Sequence, residues 1–176
     1  MELPAEQAFL EAFDAHADAL FRHAFFRVSD RERAHDLVQD TYLKTWDYVA
    51  GGGEVRQYKA FLYRILHNLI IDEYRKKHSS SLDALLEDET IASGVEARMA
   101  EGGLHETEEM LDDTALVARI RARIPELPQD YCVVLTMRFI DDLSVSEIAK
   151  AIGASENVVS VRIHRGMAKL RTLCNI

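Results

Sequence analysis

Cysteine is almost missing from this chain of 176 residues, with only Cys132 and Cys174 present. Two thiols cannot build a disulfide framework. Cys132 lies inside an apolar helical pattern and Cys174 sits near the end, so both read as buried or incidental thiols of a reducing compartment. No apolar run reaches the ~18 residues that cross a bilayer, which argues against direct membrane insertion. The opening MELPAEQAFLEAF is acidic and has no basic leader before an apolar stretch, so it does not read as a secretory signal. Catalytic signatures are absent too: there is no HExxH, Walker A, GxSxG or CxxC pattern. The histidines at 16, 23, 35, 67, 78, 105 and 164 do not pair with cysteines at metal-ligand spacing. The expectation is a cytoplasmic protein that is not an enzyme, binds no metal or cofactor, and works by binding.

What the chain does have is charge, unevenly placed. Its net charge is −9, yet residues 1–78 carry −2, residues 79–114 carry −10 and residues 115–176 carry +3. The acidity belongs to the middle, and the C-terminal part is basic, as a nucleic-acid binder should be. The middle tract opens with three serines, contains Gly94, Gly102 and Gly103, and has no aromatic residue. Residues 79–114 therefore read as a flexible acidic linker. Two roles stay open for it: a solvated tether, or a polyanion that occupies a basic groove.

Before the linker the pattern is helical. Over residues 5–26, Phe9, Phe13, Leu20 and Ala24, with Leu10, Ala17 and Phe21, form a broad apolar face. Ser29 and Glu32 suggest an S-x-x-E helix start, leading into a helix over 31–49. Its apolar side holds Leu37, Val38, Tyr42 and Trp46, and its other side Asp36, Gln39, Asp40, Lys44 and Asp47. Three glycines at 51–53 end it. A third helix is predicted over 57–77, with Phe61, Leu62, Ile65, Leu66, Leu69 and Ile70 inward and a basic tail of Arg75, Lys76, Lys77 and His78. Taken alone, that tail is an ordinary charged helix end.

After the linker, LSVSEIAKAIGASENVVSVRIHRGMAKL (143–170) predicts helix, tight turn, helix. Ser144 and Glu147 form a capping box, Gly153 suits the left-handed turn, and Ser155 can cap the second helix. Val159, Ile163, Met167 and Leu170 share one side of that helix, leaving the other free for a DNA major groove. An ordinary helical hairpin is the bland alternative.

Three motifs in order carry a family resemblance. The stretch DLVQDTYLKTW (36–46) resembles the second helix of region 2 in sigma-70-family transcription initiation factors. FLYRILHNLIIDEYRKK (61–77) resembles the helix that follows, and Leu127-Pro128 with the helix-turn-helix resembles region 4. Two regions separated only by a linker are similar to the layout of the extracytoplasmic-function group. The resemblance covers nearly all the chain outside 79–114. It implies an all-α protein of two domains: 1–78, a three-to-four-helix bundle, and 115–176, a helix-turn-helix unit.

The resemblance also implies roles. The helix at 36–46 would dock on core RNA polymerase through Asp36, Gln39, Asp40, Leu43, Lys44 and Asp47, while Leu37, Val38 and Trp46 serve the fold. The minus-ten element, melted and with a base flipped out, would meet Tyr58, Phe61, Arg64, Asn68, Arg75, Lys76 and Lys77. Asp72 would fix helix geometry through an ion pair. The minus-thirty-five duplex would be read by Ser160, Val161, His164 and Arg165, with Arg162, Lys169 and Arg171 on phosphates and Ser144 and Ser155 presenting helix N-termini. An anti-sigma factor is an expected partner beside polymerase and promoter DNA.

The chain departs from the family in two places. Its loop at 50–57 lacks the aromatic that many relatives carry, so Tyr58 or Phe61 would have to stand in. Ser160 and Val161 are short, which throws minus-thirty-five reading onto Arg165 and DNA shape. Two rivals remain: a helix-turn-helix regulator that uses only the C-terminal part, and a sigma mimic that occupies an anti-sigma factor.

Overall fold

The protein is described here by a computed structural model covering residues 4–81 and 108–175, with side chains described over 6–76 and 115–175. Seven helices account for nearly all of it: α1 (Pro4–Val28), α2 (Arg31–Ala50), α3 (Tyr58–Ser81), α4 (Glu108–Arg123), α5 (Gln129–Phe139), α6 (Val145–Ile152) and α7 (Glu156–Cys174). A single 3-10 turn, Ile124–Glu126, joins α4 to α5, and no strand occurs among the described residues. The all-α expectation holds. Most of the predicted linker lies outside the described residues, although α3 runs to Ser81 and α4 begins at Glu108.

The N-terminal bundle forms where the pattern places it, with one cap moved by a residue. Ser29 does not cap α2. It takes a left-handed conformation (φ 55°) and donates its N–H to Phe25 O at 2.8 Å, which ends α1. The cap passes to Asp30, whose carboxylate accepts from Arg33 N at 2.9 Å. Leu20, Ala24, Ala34, Leu37, Leu62, Leu66 and Ile70 fill the core. Phe61, Ile65 and Leu69 are only half-buried. Leu10 and Phe13, expected on the inward face of α1, are instead exposed at the N-terminal end of α1, which runs beside the second half of α2. There Phe13 lies 4.4 Å from the Tyr42 ring, and Phe9 lies 5.2 Å from Trp46.

In the C-terminal unit the local signals hold throughout. Ser144 Oγ accepts from Glu147 N at 3.2 Å, and Glu147 Oε2 accepts from Ser144 N at 2.8 Å, which closes the capping box. Gly153 adopts φ 67° at the end of α6, and Ser155 caps α7 by accepting from Val158 N. α7 crosses α5 closely because Gly166 has no side chain: a Cβ there would sit 3.2 Å from Leu135 and Tyr131.

The two units do not keep separate cores. α6 packs along α3, and the apolar packing continues from Leu66 and Ile70 to Val134 and Ile148. Polar contacts fix the join. His23 Nδ1 lies 2.7 Å from Asp141 Oδ2, Lys59 Nζ donates to Asp142 O at 2.9 Å, and Lys150 Nζ donates to Gln57 Oε1 at 2.6 Å. Pairs separated by 118, 83 and 93 positions leave no periodic trace in a sequence.

Candidate nucleic-acid interface

α7 sorts its side chains cleanly. Val159, Gly166 and Leu170 are buried, while Ser160, Val161, His164 and Arg165 are exposed. Those four fall at i, i+1, i+4 and i+5, so they share one outward face of the second helix of the helix-turn-helix. Two predicted phosphate contacts are already engaged. Arg162 lies 3.3 Å from Asp130, and the Lys169 ammonium sits 5.9 Å from the centre of the Tyr131 ring. Ser144 and Ser155 are exposed but use their hydroxyls as caps, which leaves only backbone N–H groups for a phosphate. Arg171 is exposed.

On α3, Arg64, Asn68, Asp72 and Arg75–Lys76 recur every three to four residues and are exposed, forming one polar stripe. Arg75 lies 3.8 Å from Asp72, the ion pair expected of that aspartate. The Lys77 side chain lies outside the described residues. Tyr58 and Phe61 are half-buried at the head of the stripe.

The aromatic that the loop lacks is present nearby, on α2. Tyr48 is 47% exposed, and its ring lies 5.1 Å from Phe61. It fills the space that a side chain at residue 53 would need, since a Cβ on Gly53 would stand 2.3 Å from Tyr48 Cε1. The sequence reading missed Tyr48. The signal was the run of three glycines that begins three residues after this tyrosine, the last of which leaves room for its ring to fold back over the loop.

A third exposed face lies on α2. Asp36, Gln39, Asp40, Leu43, Lys44 and Asp47 are all exposed at i, i+3, i+4, i+7, i+8 and i+11, a single stripe. Leu43 is 60% exposed among these charges, whereas Leu37 and Val38 are buried as expected. Trp46 packs against Phe9, as a structural residue should, while remaining 36% exposed at the edge of the stripe. A large apolar side chain framed by charges is the composition of a docking surface.

Several titratable groups are shifted. Burial pushes the Glu147 carboxyl upward, but hydrogen bonds with Ser144 and the charges of Lys59 and Lys150 outweigh it and hold it below its usual range. Burial raises the Cys132 thiol, which suits an inert side chain. Burial, helped by Arg27 and His23, drives His67 down to about 4. His67 lines a cleft of about 370 Å³ between the units, with Tyr74 and Arg75 from α3 and Gln129 and Val133 from α5. Its folded form is therefore neutral, while the unfolded chain takes up the proton near 6.5. Stability should fall as the pH drops from about 6.5 towards 4, by up to about 3 kcal/mol from this group. Thermal melts across that range should show the loss, and His67→Leu should flatten it.

Comparison with known proteins follows the same division. Residues 12–80 match the family pattern "Sigma-70 region 2" and residues 118–170 match "Sigma-70, region 4". The chain is 28% identical over 167 residues to the ECF RNA polymerase sigma factor SigW of Bacillus subtilis, covering 94% of this chain and 88% of that protein. It is 27% identical to the ECF RNA polymerase sigma factor SigL of Mycobacterium tuberculosis, covering 95% and 89%. Among solved structures it resembles the sigma factor RpoE in complex with the anti-sigma factor NepR from Bartonella quintana. That match has a TM-score of 0.69 at 22% identity, over 97% of this chain and 96% of that one. It also resembles CnrH in complex with the cytosolic domain of CnrY, with a TM-score of 0.65 at 24% identity, over 97% and 89%. Among the described residues no helix is long and apolar enough to cross a membrane, and no cluster of metal-ligating side chains occurs.

Proposed function

Because this chain belongs to the sigma-70 family of RNA polymerase sigma factors, in its extracytoplasmic-function group, we propose a role for each of the three faces. The protein is a transcription initiation factor that joins core RNA polymerase and directs it to promoters. The α2 stripe centred on Leu43 docks on core polymerase. The α3 stripe, with Tyr58, Phe61, Arg64, Asn68, Arg75, Lys76 and Lys77, meets the minus-ten element. The outward face of α7 reads the minus-thirty-five duplex. The division of labour is 1–78 for polymerase and minus-ten, 79–114 as linker, and 115–176 for minus-thirty-five. All these roles are binding roles, carried out in the cytoplasm where polymerase works.

The observation that carries this reading is the exposed α2 stripe. A regulator that only bound DNA through α7 would have no use for six exposed residues around an outward leucine. Co-purification with core polymerase tests it: the wild-type chain should be retained, and loss of retention would return the weight to a plain DNA-binding regulator. An anti-sigma partner is proposed as well, supported by two similar structures that are complexes of that kind.

Tyr48 joins the minus-ten residues in this reading. Its half-exposed ring beside Phe61 forms an aromatic wall on which an unpaired base can stack, with Arg64 one turn along α3 for the backbone. Tyr48→Ala should weaken binding of a single-stranded minus-ten oligonucleotide by about 1–3 kcal/mol, the usual worth of one stacked base. Duplex minus-thirty-five binding should not change. Fluorescence anisotropy with the two DNAs measures both.

A further inference from the structure

We propose that Asn157 and Val161, at the centre of the outward face of α7, read A·T pairs of the minus-thirty-five duplex, Asn157 through an adenine edge and Val161 through a thymine methyl. The inference rests on the reading of α7 as the duplex-recognition helix and names the bases that helix takes.

Val159 is fully buried and marks the inward direction of α7. At about 100° of turn per residue, Asn157 and Val161 each stand within about 20° of the opposite side. Ser160 and Arg165, by the same count, fall on the two flanks. Asn157 is exposed, and Val161 is 39% exposed. Asn157 is the second residue of α7, and the N-terminal residues of a recognition helix are the ones that approach base edges. The base-facing set that the family resemblance implies does not include it.

Neighbouring polar groups are already engaged within the protein. Ser155 accepts from the Val158 N–H, Arg162 pairs with Asp130, and Lys169 sits over the Tyr131 ring. Asn157 makes no hydrogen bond to any of the described residues. Its carboxamide keeps a donor and an acceptor for a partner outside the chain. In the major groove only adenine sets a donor beside an acceptor on one base, its N6 amino group and N7, and these fit a carboxamide with two hydrogen bonds.

Val161 needs a separate explanation. A β-branched side chain loses rotamer freedom on a helix, and an exposed one recovers little from the core. Against a thymine it covers the C5-methyl group that projects into the major groove. Glu156 is the only acid of α7 and lies about 120° from the outward centre, so no carboxylate on that face competes for a cytosine amino group. Asn157, Val161 and Arg165 follow one another every four residues, about 6 Å along the helix. That spacing matches at most about two base-pair steps of roughly 3.4 Å. The adenine and the thymine should therefore lie within two steps of each other, with the guanine of Arg165 a similar distance beyond.

Selection from duplexes randomised across the minus-thirty-five element, using core polymerase with the full-length chain, gives the first readout. Wild type should enrich an adenine and a thymine at that spacing. Asn157→Ala should lose the adenine preference and Val161→Ser the thymine preference, while both keep the guanine that Arg165→Ala loses. Changes of a few atoms in the DNA then isolate each contact. Replacing the adenine by 7-deazaadenine removes the N7 acceptor and should weaken wild-type binding about tenfold, with less than about twofold effect on Asn157→Ala. Replacing the thymine by deoxyuridine removes the methyl group and should weaken wild-type binding about threefold, leaving Val161→Ser unaffected. Melting curves of both variants should match wild type, since both side chains are exposed.

Wild-type binding that ignores both modified bases overturns the assignment, and so does an enriched adenine that survives Asn157→Ala. A guanine that depends on Arg165, with no A·T pair enriched beside it, also overturns the assignment but leaves α7 as the duplex reader. No enrichment at all would remove α7 from that role, and this inference with it.

Discussion

Leu43→Asp is expected to weaken association with core RNA polymerase by roughly thirtyfold or more, the effect of losing about 2 kcal/mol at the centre of an interface. The melting temperature should barely move, because Leu43 is 60% exposed and contributes little to the core. Reversing charge at Asp36 and Asp40 should weaken the same association, with helicity unchanged. Asp36 makes only an exposed contact to Arg33 at 3.6 Å, and pairs of that kind add little to stability. Surface plasmon resonance on immobilised core polymerase, with parallel thermal melts, separates a docking defect from a folding defect. Binding that survives both Leu43→Asp and the double reversal would place the docking face elsewhere on the protein.

The second large effect is a crossover between the two DNA-reading faces. Arg165→Ala should cost about 1–3 kcal/mol of discrimination at a matched minus-thirty-five duplex, the usual worth of a bidentate contact to guanine. It should leave single-stranded minus-ten binding intact. Asn68→Ala should do the opposite, sparing duplex binding and impairing open-complex formation. Both side chains are exposed, so neither substitution should disturb packing. Arg162→Ala is expected to do less than its charge suggests, since Arg162 is already paired with Asp130. Duplex binding assays and permanganate footprinting of the melted region distinguish the two faces. Unchanged duplex discrimination in Arg165→Ala would remove α7 from its assigned role.

Local chemistry made much of this fold legible in advance. The capping box at Ser144 and Glu147, the left-handed Gly153 and the cap at Ser155 are decided within a few residues, and each appears in the structure as the sequence suggests. The helix start at residue 31 is as expected, but its cap is one residue off because two neighbouring candidates compete. Ser29 was taken up in ending α1, and only the three-dimensional path shows that Asp30 is the one left to cap. The exposed polar stripes of α2 and α7 were equally readable, since helical spacing fixes which side chains share a face.

The illegible part is everything that depends on distant segments meeting. Nothing near His23 announces that Asp141 will be its partner, and the apolar face of α6 reads the same whether α3 or solvent lies opposite. Tyr48 was overlooked for a related reason. Its place over Gly53 follows from the way the chain turns back after α2, which no pattern within the loop itself announces.

Reconstituted runoff transcription bears most directly on the central claim that this protein gives core RNA polymerase its promoter specificity. Core polymerase, a promoter library and the purified wild-type chain should yield discrete transcripts that are absent without the chain. Mapped upstream of their start sites, these transcripts should share a minus-ten and a minus-thirty-five element, and Arg165→Ala should relax the minus-thirty-five element alone. A protein that binds core polymerase yet produces no promoter-dependent transcript from any library member would contradict the account.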